Sequence, residues 1–177
     1  MSTVPTPPLL HGKFQFFSGL TVEGIGIFRN IGHGFSIGSR SKKQKDGALL
    51  LGNDAGPFTN WDVRQTAAIQ NEWNGFVLDC PDFRRDPGVP AVMWPFNEGI
   101  NQQWDFQLFK NIPYTDGAGQ TRNLGAYWIR NRLNNLVLTV PGITQPGFAP
   151  KDGMPIILDL EIIPALASQI WIPYPLF

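Results

Sequence analysis

Apolar residues in this chain fall in short runs rich in β-branched and aromatic side chains, separated by clusters of Gly, Pro, Asn and Asp along nearly its whole length. That pattern predicts many short strands joined by tight turns. The best helix-like window, Pro164-Ala165-Leu166-Ala167-Ser168-Gln169, is too short to nucleate without tertiary support. An all-β chain is therefore expected.

The runs also repeat. A strand ending in Asn recurs as Ile27-Phe28-Arg29-Asn30, Ile69-Gln70-Asn71 and Ile129-Arg130-Asn131. Shortly after each Asn come His33-Gly34, Asn74-Gly75 and Asn134-Asn135, residue types that accept positive φ and suit primed two-residue turns. Second strands follow at Phe35-Ser36-Ile37, Phe76-Val77-Leu78 and Leu136-Val137-Leu138. After a loop of variable length come Ala48-Leu49-Leu50-Leu51, Ala91-Val92-Met93-Trp94 and Pro155-Ile156-Ile157-Leu158, whose continuous apolarity suits strands covered on much of both faces. Last come Trp-centred strands at Trp61, Trp104 and Trp171. The units so defined are 25–66, 67–110 and 125–177, with a leader at 1–24 and an inserted loop at 111–124. Three four-stranded units can close into one barrel capped by hairpins, a β-trefoil with pseudo-threefold symmetry, and closure removes exposed strand edges. A propeller would need ~4 to 8 blades, so the trefoil is preferred.

Asn101-Gln102-Gln103-Trp104 resembles the Gln-x-Trp signature of ricin B-type lectin repeats. Gln169-Ile170-Trp171 keeps the motif, and Thr59-Asn60-Trp61 replaces its Gln by Thr. The resemblance spans about residues 25–177 and implies a carbohydrate-binding, non-catalytic protein. In that family a functional repeat supplies an Asp at the end of its second strand, an aromatic platform after its third, and an Asn-Gln pair before the Trp. The second unit resembles the whole pattern with Asp79, Trp94 and Asn101-Gln102, and Asp82 adds a contact from the loop. These residue types suit galactose or N-acetylgalactosamine. The C–H face of galactose lies on an aromatic ring, an ionised Asp79 accepts from two hydroxyls, and Asn101 both donates and accepts. Gln102 is expected behind Asp79, orienting it. The first unit offers Gly38, Leu51 and Phe58-Thr59 at the matching places, and the third Thr139, Leu158 and Ser168-Gln169. One competent site per chain is therefore expected.

Composition narrows the remaining classes. Fourteen basic residues balance fourteen acidic ones, so no overall field draws the chain to nucleic acid. The run Arg40-Ser41-Lys42-Lys43-Gln44-Lys45 is read as a solvated hairpin loop. No stretch approaches the ~20 apolar residues of a membrane span, and the N-terminus lacks the pattern of a signal peptide. With a lone cysteine, Cys80, these features lead to the expectation of a cytoplasmic protein without disulfides, resembling the cytoplasmic defence lectins of mushrooms. No cofactor or metal is expected, because His11 and His33 are the only histidines and neither belongs to a triad or a metal cluster. The alternative function is protease inhibition through the loops Phe83-Arg84-Arg85-Asp86-Pro87 or Ile143-Thr144-Gln145-Pro146, and a third is a protein-interaction module. The apolar segments Phe14-Gln15-Phe16-Phe17 and Ile172-Pro173-Tyr174-Pro175-Leu176-Phe177 exceed what the repeat needs. They pack either on each other or on a second subunit, and a homodimer is the expected assembly.

Overall fold

In the computed structural model, which describes residues 10–21, 34–52, 56–115, 118–142 and 150–176, the short apolar runs form strands, and no α-helix occurs among those residues. The first unit contains β1 (Gly12–Ser18), β2 (Phe35–Gly38), β3 (Leu49–Gly52) and β4 (Trp61–Val63). The second contains β5 (Ile69–Asn71), β6 (Val77–Asp79), the short β7 (Val89–Pro90), β8 (Val92–Trp94) and β9 (Trp104–Thr115). The third contains β10 (Thr121–Asn131), β11 (Val137–Thr139), the short β12 (Met154–Pro155), β13 (Ile157–Asp159) and β14 (Trp171–Pro175).

The first and last strands of the units close a barrel. β1 pairs with β4, β4 with β5, β9 with β10, β10 with β14, and β14 with β1. The seam between β5 and β9 is joined by the Trp104 N–H, which donates to the Ala67 carbonyl at 3.0 Å. Hairpins β2–β3, β6–β8 and β11–β13 form the cap. Their third strands meet around the pseudo-threefold axis in a ring of backbone bonds. Ala48 donates to Ala91 (2.9 Å), Ala91 to Ile156 (3.0 Å) and Ile156 back to Ala48 (3.0 Å). All three residues are fully buried, which accounts for the continuous apolarity of these runs. This is the β-trefoil expected from the repeat.

Trp61, Trp104 and Trp171 fill the barrel and are buried. A buried indole N–H requires an acceptor. Each finds the same one, the carbonyl of the second strand of its own unit: Ile37 at 2.9 Å, Leu78 at 3.2 Å and Leu138 at 2.9 Å. These three bonds fix which residues of the units are equivalent. The recurring Asn has a comparable reason. Asn71 Nδ2 donates to Phe58 O (3.0 Å) and Asn131 Nδ2 to Asn101 O (2.9 Å), while their Oδ1 atoms accept turn N–H groups from Trp73 and Leu133. Each Asn thus ties its turn to the segment preceding the neighbouring unit's Trp.

Several boundaries differ from the sequence expectation. Residues 12–18, assigned to the leader, form β1, which occupies the ladder place of β5 and β10. The expected strand Ile27–Asn30, with His33, lies outside the described residues. The turns are wider than primed two-residue turns. Gly75 N–H closes on Asn71 O and Asn135 N–H on Asn131 O, both at 2.9 Å, with positive φ at Gly75 (77°) and Asn135 (61°) but not at Asn74 or Asn134. The inserted loop at 111–124 is largely strand. β9 and β10 stay paired from Trp104↔Asn131 out to Thr115↔Thr121, and Asp116 and Gly117 lie outside the described residues. Their extension packs Ile112 and Ala126 with Phe17, Ile170 and Ile172 in a second apolar cluster. The leader and C-terminal segments pack on each other, since β1 and β14 pair from Phe14↔Pro175 to Ser18↔Trp171.

Candidate functional site

Asp79 ends β6, one residue beyond the carbonyl that holds Trp104, so its position is set by the core. The residue is 3 % exposed. Gln102 Nε2 donates to Asp79 Oδ2 at 2.8 Å and Asn101 Nδ2 donates to the same oxygen at 3.1 Å. Oδ1 takes no hydrogen bond from the described residues. Burial pushes the Asp79 carboxyl up from its ordinary value of 3.8 to about 6, against the opposing hydrogen bonds of Gln102 and Asn101 and with a smaller push from the Asp82 charge. A cavity of about 460 Å³ opens over Asp79, Asn101 and Trp94, with Asp82, Phe83, Val92 and Lys45 among its other walls.

The five residues expected at the site do not play one role. Asp79, Asp82, Trp94 and Asn101 line the cavity. Gln102 is fully buried behind them, and its amide also donates to Pro95 O (2.9 Å) and accepts from Asn97 N–H (2.9 Å). That fixes Asp79 from the rear. Asn101 differs from its expected double role. Its Nδ2 is committed to Asp79 and to Cys80 O at 3.1 Å, while the buried Oδ1 has no partner among the described residues. Its amide N–H groups are thus already engaged within the protein. Asp82 sits in a tight turn at φ 55°, at the exposed rim.

The other units lack this chemistry for visible reasons. At Gly38, the counterpart of Asp79, a Cβ would lie 2.4 Å from Leu51 Cδ1 and 3.0 Å from Phe58 O, so the space of the carboxylate is filled by Leu51. In the third unit Gln169 repeats the bonds of Gln102, donating to Thr139 Oγ1 (3.3 Å) and Leu160 O (2.7 Å) and accepting from Ile162 N–H (2.9 Å). The frame is present, but a hydroxyl replaces the carboxylate. The counterpart of Trp94 there is Asp159, not Leu158: Val77 faces Trp94 and Val137 faces Asp159, whereas Leu158 matches Met93 in the core. Period-two alternation makes such a one-residue shift a change of face.

The sequence profile described as ricin-type beta-trefoil lectin domain-like matches residues 58–157, more than half of the chain. The chain belongs to this ricin-type family. Domains of the family are usually non-catalytic and also occur within enzymes. No curated protein sequence matches the chain. Among solved structures it is similar to the designed threefold-symmetric protein ThreeFoil, at 16 % identity over 93 % of this chain and 99 % of that one, with a TM-score of 0.68. It is also similar to the Polyporus squamosus lectin bound to a human-type influenza-binding epitope, at 13 % identity over 94 % and 49 % (TM-score 0.62). A third is the C-half of the earthworm R-type lectin in complex with GalNAc, at 14 % identity over 92 % and 97 % (TM-score 0.57). At these identities the likeness is one of fold.

Sequence reasoning missed several residues of this candidate site. Gly99 is one. A Cβ there would lie 2.4 Å from Asn101 Oδ1 and 2.9 Å from Asn97 Oδ1, so the close approach of the loop to Asn101 requires glycine. Lys45, from the β2–β3 loop of the first unit, places Nζ 5.6 Å from the centroid of the Trp94 ring. The rest of its basic run is partly engaged: Arg40 forms a bidentate pair with Asp152 (2.7 and 2.9 Å), and Lys42 lies over Trp73. Cys80 is buried, donates to Arg84 O and accepts from Asn134 Nδ2, both at 3.3 Å, and burial raises its thiol pKa. Those bonds hold the 81–84 turn, with Phe83 at φ 51°, against the cavity. The first loop considered for protease inhibition is therefore part of the site wall, and the second, Ile143–Pro146, lies outside the described residues. Among the described residues no group of three His, Cys, Asp or Glu could hold a metal, and no helix is long and apolar enough to cross a membrane.

Proposed function

We propose that this protein is a lectin that binds glycans bearing galactose or N-acetylgalactosamine through one site, in the second repeat, and that it catalyses no reaction on them. The observation that carries this reading is the joining, in that repeat alone among the described residues, of a carboxylate held by two amides to an aromatic side chain on one cavity wall. Asp79 Oδ1 supplies an acceptor for sugar hydroxyls, Asn101 on the same wall holds the carboxylate in place, and Trp94 supplies a face for the sugar's C–H patch. The complex of the earthworm R-type lectin with GalNAc supports the sugar class.

A single small site binds a monosaccharide weakly, so agglutination would need two sites held together, as in a homodimer. A cytoplasmic location and a defensive role complete the proposal. A glycan array and calorimetry with methyl galactoside test its centre: Asp79→Ala and Trp94→Ala should each abolish binding with the melting transition retained. Undiminished affinity in both variants would remove the site. Trypsin and papain should remain uninhibited, and inhibition without glycan binding would favour the protease-inhibitor reading.

A further inference from the structure

The pseudo-threefold axis relates Lys45 to Gly88 and Gly153. Each stands just before the third strand of its unit, and each donates its backbone N–H to the third strand of a neighbouring unit. Lys45 bonds to Met93 O at 2.8 Å, Gly88 to Leu158 O at 2.7 Å and Gly153 to Leu50 O at 2.7 Å. The acceptors are themselves equivalent, being the residues that face Leu78, Leu138 and Ile37. All three donors adopt the left-handed conformation, with φ of 75°, 87° and 88°. Glycine takes that conformation without steric cost, and a side chain there is strained. Two units use glycine and one uses lysine.

The lysine stands at one particular place. Gly153 adjoins the first unit's face, where Leu51 stands, and Gly88 adjoins the third's, where Asp159 stands. Lys45 adjoins Trp94, and its side chain lines the cavity of the second repeat. The strained residue is therefore found only beside the candidate sugar site, and backbone strain kept at one of three equivalent places points to a use for the side chain. The fold makes little other use of the charge. Lys45 forms no ion pair among the described residues, and it is not among the groups that shift the Asp79 carboxyl. Its ammonium lies 5.6 Å from the centroid of the Trp94 ring, in a cavity whose one buried carboxylate is tied to two amides, and a sugar stacked on that ring turns the flexible lysine aside towards the sugar's substituents.

We propose that Lys45 is a ligand-contacting residue lent by the first repeat to the second repeat's site, and that it makes the site select galactosides bearing an anionic substituent, a sulfate or carboxylate, over neutral ones. The inference rests on the galactoside reading of that site. Asp79 holds ring hydroxyls, and the ammonium meets the negative group at the Trp94 side of the cavity. Arg84, also on the wall, is paired with Asp86 at 3.5 Å, and Asp79 and Asp82 stand on the same wall, so the selectivity rests on Lys45 itself and not on a net positive cavity.

The test is calorimetric titration of the full chain with methyl β-galactoside, its monosulfated derivatives and methyl galacturonide, at low and moderate salt. At least one anionic probe should bind about two- to fivefold more tightly than the neutral glycoside, with the advantage shrinking as salt rises. Lys45→Gly installs the residue of the two sister positions, so it should fold at least as well as the parent. It should bring the anionic-to-neutral ratio to about one, and that ratio, taken within each variant, is the readout whatever the change in neutral affinity. Lys45→Arg should retain most of the ratio. A wild-type ratio near one for every anionic probe, or a ratio unchanged in Lys45→Gly, would overturn this inference and leave the galactoside site standing. Binding of none of the probes would overturn the site itself, and this inference with it.

Discussion

Protonation of Asp79 offers the most direct check on how the site works. Its carboxyl sits at about 6 because burial outweighs the hydrogen bonds from Gln102 and Asn101. A sugar hydroxyl that donates to the carboxylate binds the ionised form, so the apparent dissociation constant scales as one plus the ratio of protonated to ionised Asp79. With a pKa of about 6, lowering the pH from about 7 to about 5 should weaken galactoside binding about tenfold. A carboxyl at its ordinary value of 3.8 would change affinity by less than about a tenth over the same range. Titration calorimetry across this range, in buffers of different ionisation enthalpy, reads the effect twice. Affinity should fall below about pH 6, and near that pH each sugar bound should release about half a proton. A flat affinity profile in the wild type, with no proton release, would show that an ionised, desolvated Asp79 is not the acceptor.

The same shift has a signed effect on stability. The folded pKa lies above the unfolded one, so the contribution of Asp79 is fully present below about pH 4 and is lost as pH rises through about 6. Asp79→Asn should therefore raise the melting temperature relative to wild type at about pH 8 but not at about pH 4, while weakening galactoside binding. Trp104→Phe removes the donor that holds Leu78 O in the core and should cost roughly 2–4 kcal/mol in denaturant unfolding. Gly99→Ala should weaken glycan binding severalfold with a near-normal melting temperature, since the added methyl displaces Asn101; unchanged affinity would mean that the position of Asn101 is not critical. Gly38→Asp should destabilise the protein by about 1–3 kcal/mol and create no second site, because Leu51 occupies the space, and a doubled binding stoichiometry would contradict that account.

The features that repeat can be read from the amino-acid order alone. Three tryptophans, three apolar third-strand runs and the Asn71 and Asn131 turns were legible because each unit needs the same core side chain, axial strand and turn anchor. The cluster of Asp79, Trp94 and Asn101-Gln102 was legible because it breaks that repetition within a single unit. Tertiary structure decided what no local pattern encodes. β1 was hidden because Phe14, Phe16 and Phe17 do not resemble Ile69–Asn71, although barrel closure gives them the same ladder place. Asp159 could be told from Leu158 only by cross-strand register, since both are compatible with a short strand. Asn101 reads as donor and acceptor alike until its amide is seen committed to Asp79 and Cys80. Lys45 belonged to a basic run far from the second repeat in sequence, and only closure around the threefold axis carries it to Trp94. Composition and spacing report what each unit must bury. Which neighbour leans over a site depends on how the units are assembled.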